Sequence, residues 1–398
     1  MKQVGRLLGR LWQFIVLLVI MIGALFFALF QGNAVSWAIF YAQLPFTLYA
    51  LLVYMYPLSF MTIERHVSRE RLQYGDTLQV TVIARKKVPF PHFYFVMLDR
   101  WYVKGAKTPF YEAKKFVMFI LKKEITWHYT IEQMPRGEYE ATVIQLEVAD
   151  IVNWVQRTKS IATLNEVLVY PRTIALTEEW TMFANETSTH VTPFQAVQDV
   201  LSVASIRPYE HGDRLSWVHW KSFAKTEELM TKEFDHQEAV QGMMLFDPRT
   251  TASLEARITF TASMIMRARQ EKMTLRFCHL QEQSVSYTTN SFQEIEQIFT
   301  SLARTTGEKN YALSMDEVVK GRRRDEAVMI VTAFIDWTMI ETLIRTGARN
   351  RLLIFLVLEQ EGLTAEVREN IVRGQQKGVL IQPIIGERLM VSLKEVKE

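Results

Sequence analysis

Residues 240–251 read VQGMMLFDPRTT. A short, unbroken apolar run closed by an acid and a proline reads as a strand buried on both faces, followed by a strand-to-helix turn. The pattern then repeats. Leu254, Ile258, Thr261, Ile265 and Ala268 share one helical face, and MTLRFCHL (273–280) is a second buried-type strand. SFQEIEQIFTSL (291–302) opens with Ser291 and Glu294 at capping-box spacing and sets Phe292, Ile295, Phe299 and Leu302 on one side. Ser314 and Glu317 repeat the device, and Gly321 stops that helix. AVMIVTAF (327–334) and RLLIFLVL (351–358) are further strands. Asp336 can cap WTMIETLIRT, which ends at Gly347, and TAEVRENIVRG closes on Gly374. Strands alternating with helices over 240–398 predict an α/β domain with a largely parallel sheet covered on both faces. Ligands of such sheets sit beyond the carboxyl ends of the strands, which points to Asp247 and to the loops after Phe334 and Leu358.

Upstream, over 61–172, the period is two. Leu78, Val80 and Val82 alternate with polar residues, as do Ile125, Trp127, Tyr129 and Ile131. YGD, PFP and PRGEY supply turns, so several antiparallel strands in a β-sandwich are expected. In EYEATVIQLEVAD the alternation slips from Tyr139, Ala141 and Val143 to Ile144, Leu146 and Val148, which predicts a β-bulge near 143. His66, His92 and His128 are scattered and read as structural.

Residues 1–60 differ again. LWQFIVLLVIMIGALFFALF (11–30) carries no charge, and 37–60 is a second uncharged run interrupted by Pro45 and Pro57. About twenty apolar residues suffice to cross a hydrocarbon core of ~30 Å. Lys2, Arg6 and Arg10 precede the first run, Arg65, Arg69 and Arg71 follow the second, and the loop between has no charge. The positive-inside rule therefore places both ends of a two-helix hairpin in the cytoplasm of a multi-pass plasma-membrane protein. A cytoplasmic position removes any meaning from the glycosylation triplet at 185–187.

The totals exclude several classes. A net charge of +3 in 398 residues gives no field suited to nucleic acid. The single cysteine, Cys278, forms no internal disulfide or cysteine zinc cluster and lies in a strand-like run that buries it. The basic run GRRRD (321–325) reads as a solvated loop.

One stretch stands apart. RPYEHGDRLSWVHWKSFAKTEEL (207–229) concentrates charge, turn residues and aromatic rings. Gly212 and Asp213 suit a tight turn. Arg207 and Lys221 can pair with Asp213 or another carboxylate. Tyr209, Trp217 and Trp220 offer flat apolar area with polar tips, the composition of domain junctions and protein interfaces. His219 and Asp213 could form an acid–base pair, but no nucleophile stands at recognisable spacing. Two readings stay open: a clasp between domains, and a partner-binding surface.

Arg207, Pro208, Tyr209, Gly212, Asp213, His219, Trp220, Lys221, Ser222 and Ala224 resemble the signature of the domain-of-unknown-function 58 family. PRGEY (135–139), the segment at 149–154 and VLVYPR (167–172) resemble further family stretches. The resemblance implies three parts: a transmembrane hairpin (1–60), an immunoglobulin-like β-sandwich (61–172) and a von Willebrand factor A-like α/β domain (240–398); residues 173–239 are then expected to be a linker holding the signature. It implies company too, since such proteins are typically encoded beside MoxR-type AAA+ ATPases and transglutaminase-like membrane proteins. It supplies no biochemical activity.

There are departures. Ser216 and Trp217 stand where the family shows two arginines, and Ala224-Lys225 replaces Ala-Arg. Metal-binding A domains want Asp-x-Ser-x-Ser; here Arg249 takes the first serine's place in Asp247-Pro248-Arg249-Thr250-Thr251, and Ala333 stands where a later Asp is expected. Asp247, Arg249 and Thr251 therefore read as a degraded metal site, with no cofactor. The expected function is a membrane-anchored scaffold that docks a protein partner. The rival is an enzyme acting on an envelope precursor or a nucleotide at the sheet's carboxyl edge, which would need Asp247 and a second acid in a deep polar pocket.

Overall fold

The structure, a computed structural model, describes residues 2–119, 122–151, 153–176, 183–184, 190–191, 203–210, 218–226, 228–234, 242–271, 273–280, 286–307, 315–321, 326–348, 352–359 and 364–385. It divides into two compact units, 1–169 and 170–398.

Unit 1 opens with helix α1 (Lys2–Gln31) and helix α2 (Ala34–Met55). Gly32 turns the chain at φ +62°, and the Asn33 side chain caps α2 by accepting from the Ser36 amide at 2.9 Å. Among the described residues α2 is the one helix long and apolar enough to cross a membrane; in α1 the comparable stretch, Leu18–Gln31, is shorter. Pro45 lies inside α2, whereas Pro57 falls beyond its end and begins a 3₁₀ turn, Leu58–Phe60. The apolar run to residue 60 is therefore longer than the helix it builds.

Eight strands follow: β1 (Met61–Val67), β2 (Arg71–Leu72), β3 (Leu78–Lys86), β4 (His92–Val103), β5 (Pro109–Phe119), β6 (Glu124–Ile131), β7 (Gly137–Ala149) and β8 (Gln156–Val169). They form a three-stranded sheet, β1-β3-β6, and a five-stranded sheet, β2-β8-β7-β4-β5. Pairing is antiparallel except for the two-residue β2 against β8. One apolar core joins Leu78, Val80 and Val82 of β3, Phe95 and Met97 of β4, Ile144 and Leu146 of β7, and Ala50 and Val53 of α2. The phase slip in β7 is real. The β7–β8 register shifts between Ala141 and Val143, leaving Val143 exposed and Ile144 buried. Gly137 turns into β7 at φ +147°, a region that excludes side chains, and lets the Tyr139 hydroxyl donate to the Pro135 carbonyl at 2.9 Å.

A buried polar cluster sits in this core. Arg65 and Asp99 are both fully buried and paired through two bonds, 2.6 and 2.9 Å. Arg65 also donates to the carbonyls of Ala141 and Thr163, each at 2.7 Å. The Tyr129 hydroxyl donates to Asp99 at 2.6 Å and accepts from Trp101 Nε1 at 2.8 Å. The charge pair is tolerated because nearly every donor and lone pair has a partner.

Unit 2 contains the short pair β9 (Phe183–Ala184) and β10 (His190–Val191), then β11 (Val203–Pro208), helix α3 (Trp220–Thr226) and β12 (Met230–Phe234). Strands β11 and β12 form an antiparallel ribbon. The main sheet follows: β13 (Gly242–Phe246), α4 (Leu254–Gln270), β14 (Leu275–His279), β15 (Ser286–Thr288), α5 (Phe292–Arg304), α6 (Met315–Lys320), β16 (Ala327–Thr332), α7 (Trp337–Leu343), β17 (Leu352–Leu358), α8 (Ala365–Gln376) and β18 (Leu380–Ile385). Its order is β15-β14-β13-β16-β17-β18, parallel except for β15 at the edge. The unalternating apolar strands are thus buried on both faces.

Local signals differ in outcome. Ser291, Asp336 and Thr364 cap α5, α7 and α8. Glu294 does not reach back to complete a box; it accepts instead from the Thr288 hydroxyl. Phe292 is exposed beneath the Arg269 guanidinium, and Ile298 takes its place in the core. Gly374 does not end α8. It lies within the helix, where an added Cβ would stand 2.6 Å from Ile381 Cδ1 and 3.5 Å from Ile340 Cδ1. Close packing, not termination, explains this glycine; Gly378, at φ +82°, follows the helix end. Ser314 and Arg322–Asp325 lie outside the described residues, as does the triplet at 185–187.

Candidate functional site

In unit 2 the chain passes from β13 through α4 to β14 on one side, then returns to β16 on the other. The carboxyl ends of β13 and β16 therefore flank the point where strand order reverses, the place where open α/β sheets bind ligands. Asp247 directly follows β13 and Thr332 ends β16, and the Thr332 hydroxyl donates to Asp247 Oδ2 at 2.9 Å.

Asp247 is fully buried. Its carboxylate is occupied by its own neighbour: Arg249 donates from Nε to Oδ1 at 2.8 Å and from Nη2 to Oδ2 at 2.9 Å, and the Arg249 amide adds a bond to Oδ1 at 3.1 Å. The other face of that guanidinium lies over the Phe334 ring, 4.8 Å from its centre. A planar fork held on both oxygens and stacked on an aromatic ring is the geometry arginine suits best. Thr251 is exposed and its carbonyl accepts from the Leu254 amide at 3.2 Å; its place is in the turn. Of the three residues expected to form a degraded metal site, Asp247 and Arg249 meet, and Thr251 is exposed beside Gly307.

The loop carrying Arg249 is braced by residues that the motif reading did not single out. Arg257 is fully buried and donates to the carbonyls of Asp247, Thr250 and Ala252, the last at 3.0 Å. Ser253 is left-handed, φ +50°; its amide donates to Glu359 Oε1 at 3.1 Å and its hydroxyl to the Val357 carbonyl at 2.7 Å. A non-glycine residue there is strained and held by its bonds. The three places that sequence reasoning named, Asp247 and the loops after Phe334 and Leu358, thus converge. An arginine inside the apolar stripe Leu254–Ile258–Thr261 was the available signal for Arg257.

His279 ends β14, stacks on Phe246 at 5.4 Å and shares a bond of 2.9 Å with the Thr305 hydroxyl. Burial pushes its pKa down to about 4, against a smaller upward pull from Asp247. The ring is neutral at physiological pH. Cys278, beside it, is buried and its thiol pushed up to about 11, also by burial. A cleft of about 270 Å³ opens past Arg249, lined by Phe334, Asp336, Thr338 and Met339 among others. Its acid, Asp336, already accepts from the Thr338 amide at 2.9 Å and from the Thr338 hydroxyl, which hold its carboxyl below the usual range. Among the described residues no three histidine, cysteine, aspartate or glutamate side chains cluster as metal ligands.

The signature stretch forms the β11–β12 ribbon with α3 beside it. The Tyr209 amide donates to the Leu229 carbonyl at 2.9 Å and the His219 amide to the Met230 carbonyl at 2.8 Å. Arg207 donates to the Pro208 carbonyl at 3.1 Å and lies 3.9 Å from Glu210. Arg207, Tyr209 and His219 are half-buried, and Lys221 is exposed. Trp220 is 60% exposed, its ring edge-on to Phe223 at 6.2 Å, and Phe223 and Leu229 are exposed too. Gly212 and Asp213, with His211 and Trp217, lie outside the described residues.

Residues 205–364 match the family model described as protein of unknown function DUF58. The match begins in the ribbon and ends past the sheet's carboxyl-edge loops, so it includes both features above. The uncharacterized protein YeaD of Bacillus subtilis (strain 168) is 31% identical over 260 residues, which cover 64% of this chain. The matched region spans 64% of that relative's length. Among solved structures, the C-terminal domain of wzt overlaps 28% of this chain and 73% of its own, at 5% identity and a TM-score of 0.23. Native alpha-2-macroglobulin from Escherichia coli, from domain MG7 to the C-terminus, overlaps 28% of this chain and 24% of its own, at 12% identity and a TM-score of 0.21. Likeness at that level assigns neither fold nor function.

Proposed function

We propose that the chain is a membrane-anchored scaffold that docks a protein partner. In this reading α1 and α2 are both transmembrane, both termini are cytoplasmic, and the site is the inner face of a bacterial plasma membrane. Unit 1 is an immunoglobulin-like sandwich serving as spacer, and the main sheet of unit 2 is a von Willebrand factor A-like domain. The residues around Arg207, Tyr209 and Trp220 supply the docking face. The resemblance stated above suggests a MoxR-type AAA+ ATPase as partner, with a transglutaminase-like membrane protein nearby.

The observation that carries this is the exposure of Trp220. A tryptophan leaving 60% of its surface in water, beside exposed Phe223 and Leu229, has the make-up of an interface anchor. The Arg249 fork supports it by leaving Asp247 no open lone pair for a metal or substrate. The enzymatic alternative needs a second acid beside Asp247, and Asp336 is spent capping α7.

Affinity purification of the full chain from native membranes, wild type against Trp220→Ala, tests the proposal. Loss of a stoichiometric partner with unchanged circular dichroism is expected. Full partner recovery by a folded Trp220→Ala protein, repeated with Asp213→Ala, would refute a docking role.

A further inference from the structure

Four chain passages meet at one pole of unit 1. Met61, where the chain enters from α2, pairs with Lys86 at the end of β3, and Arg85 with Glu124 at the start of β6. His92 at the start of β4 pairs with Phe119 at the end of β5, Tyr94 with Ala149, and Ala149 with Gln156. The described residues 87–91, 122–123, 150–151 and 153–155 and the α2 entry therefore share that end.

This pole is built against α2. Tyr56 donates to the Val88 carbonyl at 3.2 Å, and Tyr49 donates to the Pro91 carbonyl at 2.9 Å. Seven residues separate the two tyrosines, so the 88–91 loop descends about 10 Å along the helix axis, at ~1.5 Å per residue. It descends toward the middle of an apolar helix whose 22 residues are long enough to cross a membrane.

The same pole exposes apolar side chains that a water-facing end would not: Val88 (45%), Phe116 (54%), Met118 (55%), Ile151 (53%) and Trp154 (40%). Lysines surround them. Lys87, Lys122 and Lys123 are all exposed. Segments 86–91, 114–123 and 151–159 contain no acid. The flanking acids are committed: Glu124 to Arg85 at 2.8 Å, buried Asp150 to the Val155 amide at 2.6 Å, and half-buried Glu147, level with Phe116, to Gln145 Nε2 at 3.3 Å.

We propose that this pole seats unit 1 on an anionic lipid leaflet, its apolar side chains entering the interfacial layer and its lysines binding acidic headgroups. Aromatic and aliphatic fingers ringed by lysine, beside the exit of an apolar helix, match that surface in chemistry and position. The inference rests on the reading that α2 crosses the bilayer, and adds that the folded unit itself contacts lipid.

Site-directed spin labelling of the full chain in nanodiscs tests it, in a Cys278→Ser background. Labels at Met118→Cys and Ile151→Cys report the pole, Lys107→Cys the opposite end of the sheets, and Leu48→Cys the helix. In phosphatidylcholine with phosphatidylglycerol, labels 118, 151 and 48 are expected to be open to oxygen and shielded from a water-soluble nickel chelate, and label 107 the reverse. Lys122→Gln with Lys123→Gln should shift the seated-to-unseated ratio roughly 25-fold, at about fivefold per lysine near an anionic surface. Omitting phosphatidylglycerol should act in the same direction. If labels 118 and 151 behave like 107 while 48 stays in lipid, the seating is wrong and the span stands. A water-exposed label 48 overturns both. Shielding indifferent to phosphatidylglycerol and to the two lysines overturns the headgroup assignment.

Discussion

Replacing Arg249 by alanine removes two charge-assisted bonds from a carboxylate that is fully buried. What remains to Asp247 is the Thr332 hydroxyl and one backbone amide. Stripping one partner from a buried ion pair costs about 3–5 kcal/mol when both are sequestered. Arg249 keeps 32% of its side chain in water, so solvent already screens its end of the pair. A loss of about 2–3 kcal/mol is the consistent figure, closer to the cost of an unsatisfied buried polar group. For a unit of this size that lowers the melting temperature by roughly 5–10 °C. The assay is thermal unfolding of the detergent-solubilised full chain, following the transition of unit 2, with and without millimolar Mg²⁺. Arg249→Lys should recover less than half the loss, because an ammonium cannot hold both oxygens. Two results would refute the reasoning. An unchanged melting temperature in Arg249→Ala would mean the guanidinium does not neutralise Asp247. Restoration of stability by Mg²⁺ would mean the remaining ligands still form a working cation site.

In unit 1, Asp99→Asn should destabilise by about 3–5 kcal/mol by leaving Arg65 charged and buried, and Tyr129→Phe by about 1–3 kcal/mol by leaving Trp101 Nε1 without its acceptor and Asp99 Oδ2 with Arg65 Nε alone; chemical denaturation measures both. His92 and His279 are each held near 4 by burial, with Lys86 adding to the effect at His92. Between their ordinary 6.5 and about 4 the unfolded chain binds protons that the folded chain does not, so stability should fall with pH through that window, by on the order of 3 kcal/mol per ring. Melting curves from pH 7 to 4 should show the slope, and His92→Asn should flatten it for unit 1 only. Gly374→Ala gains about 1 kcal/mol of helix propensity but collides with Ile381, for a net loss of about 1 kcal/mol. Adding Ile381→Val removes the colliding methyl, and a double-mutant cycle should show the pair coupled.

The elements of the main sheet were legible because β13, β16 and β17 are short unbroken apolar runs and α5, α7 and α8 open on a Ser, Asp or Thr that caps them. The position of the sheet's carboxyl edge followed from that alternation. Its chemistry did not. The spacing Asp247–Arg249 shows an arginine where the resemblance leads one to expect a serine; only the fold shows that guanidinium turned back onto the same carboxylate. Arg257 and Glu359 brace that loop from 10 and 112 positions away from Asp247, a separation no local pattern encodes. In unit 1 the bulge was readable as a phase slip, because alternation is a local property. The Arg65–Asp99 pair was not, since each residue sits singly in a strand of unremarkable composition. Gly374 misled for a related reason: a glycine late in a helix fits a stop signal and a packing contact equally well until Ile381 is seen against it.

The way α2 ends bears on what unit 1 can be. A spacer that merely trails from an anchor would leave the helix through a pliable linker, and its last carbonyls would face water. Here the exit reads YPLSF, with no glycine. Arg157 of β8 donates to the carbonyls of Val53, Tyr54 and Tyr56, and Lys159 to that of Leu58 at 2.9 Å. Positive charge at a helix carboxyl end is favourable in itself, and here it comes from a strand a hundred residues away in sequence. Ala50 and Val53 enter the same core as the two sheets. Helix and sheets therefore form one folded body, and tilting unit 1 against α2 would break these bonds and expose that core. A helix fused in this way fixes the orientation of the sheets to its own axis, which the proposed scaffold role requires and a flexible tether would not supply.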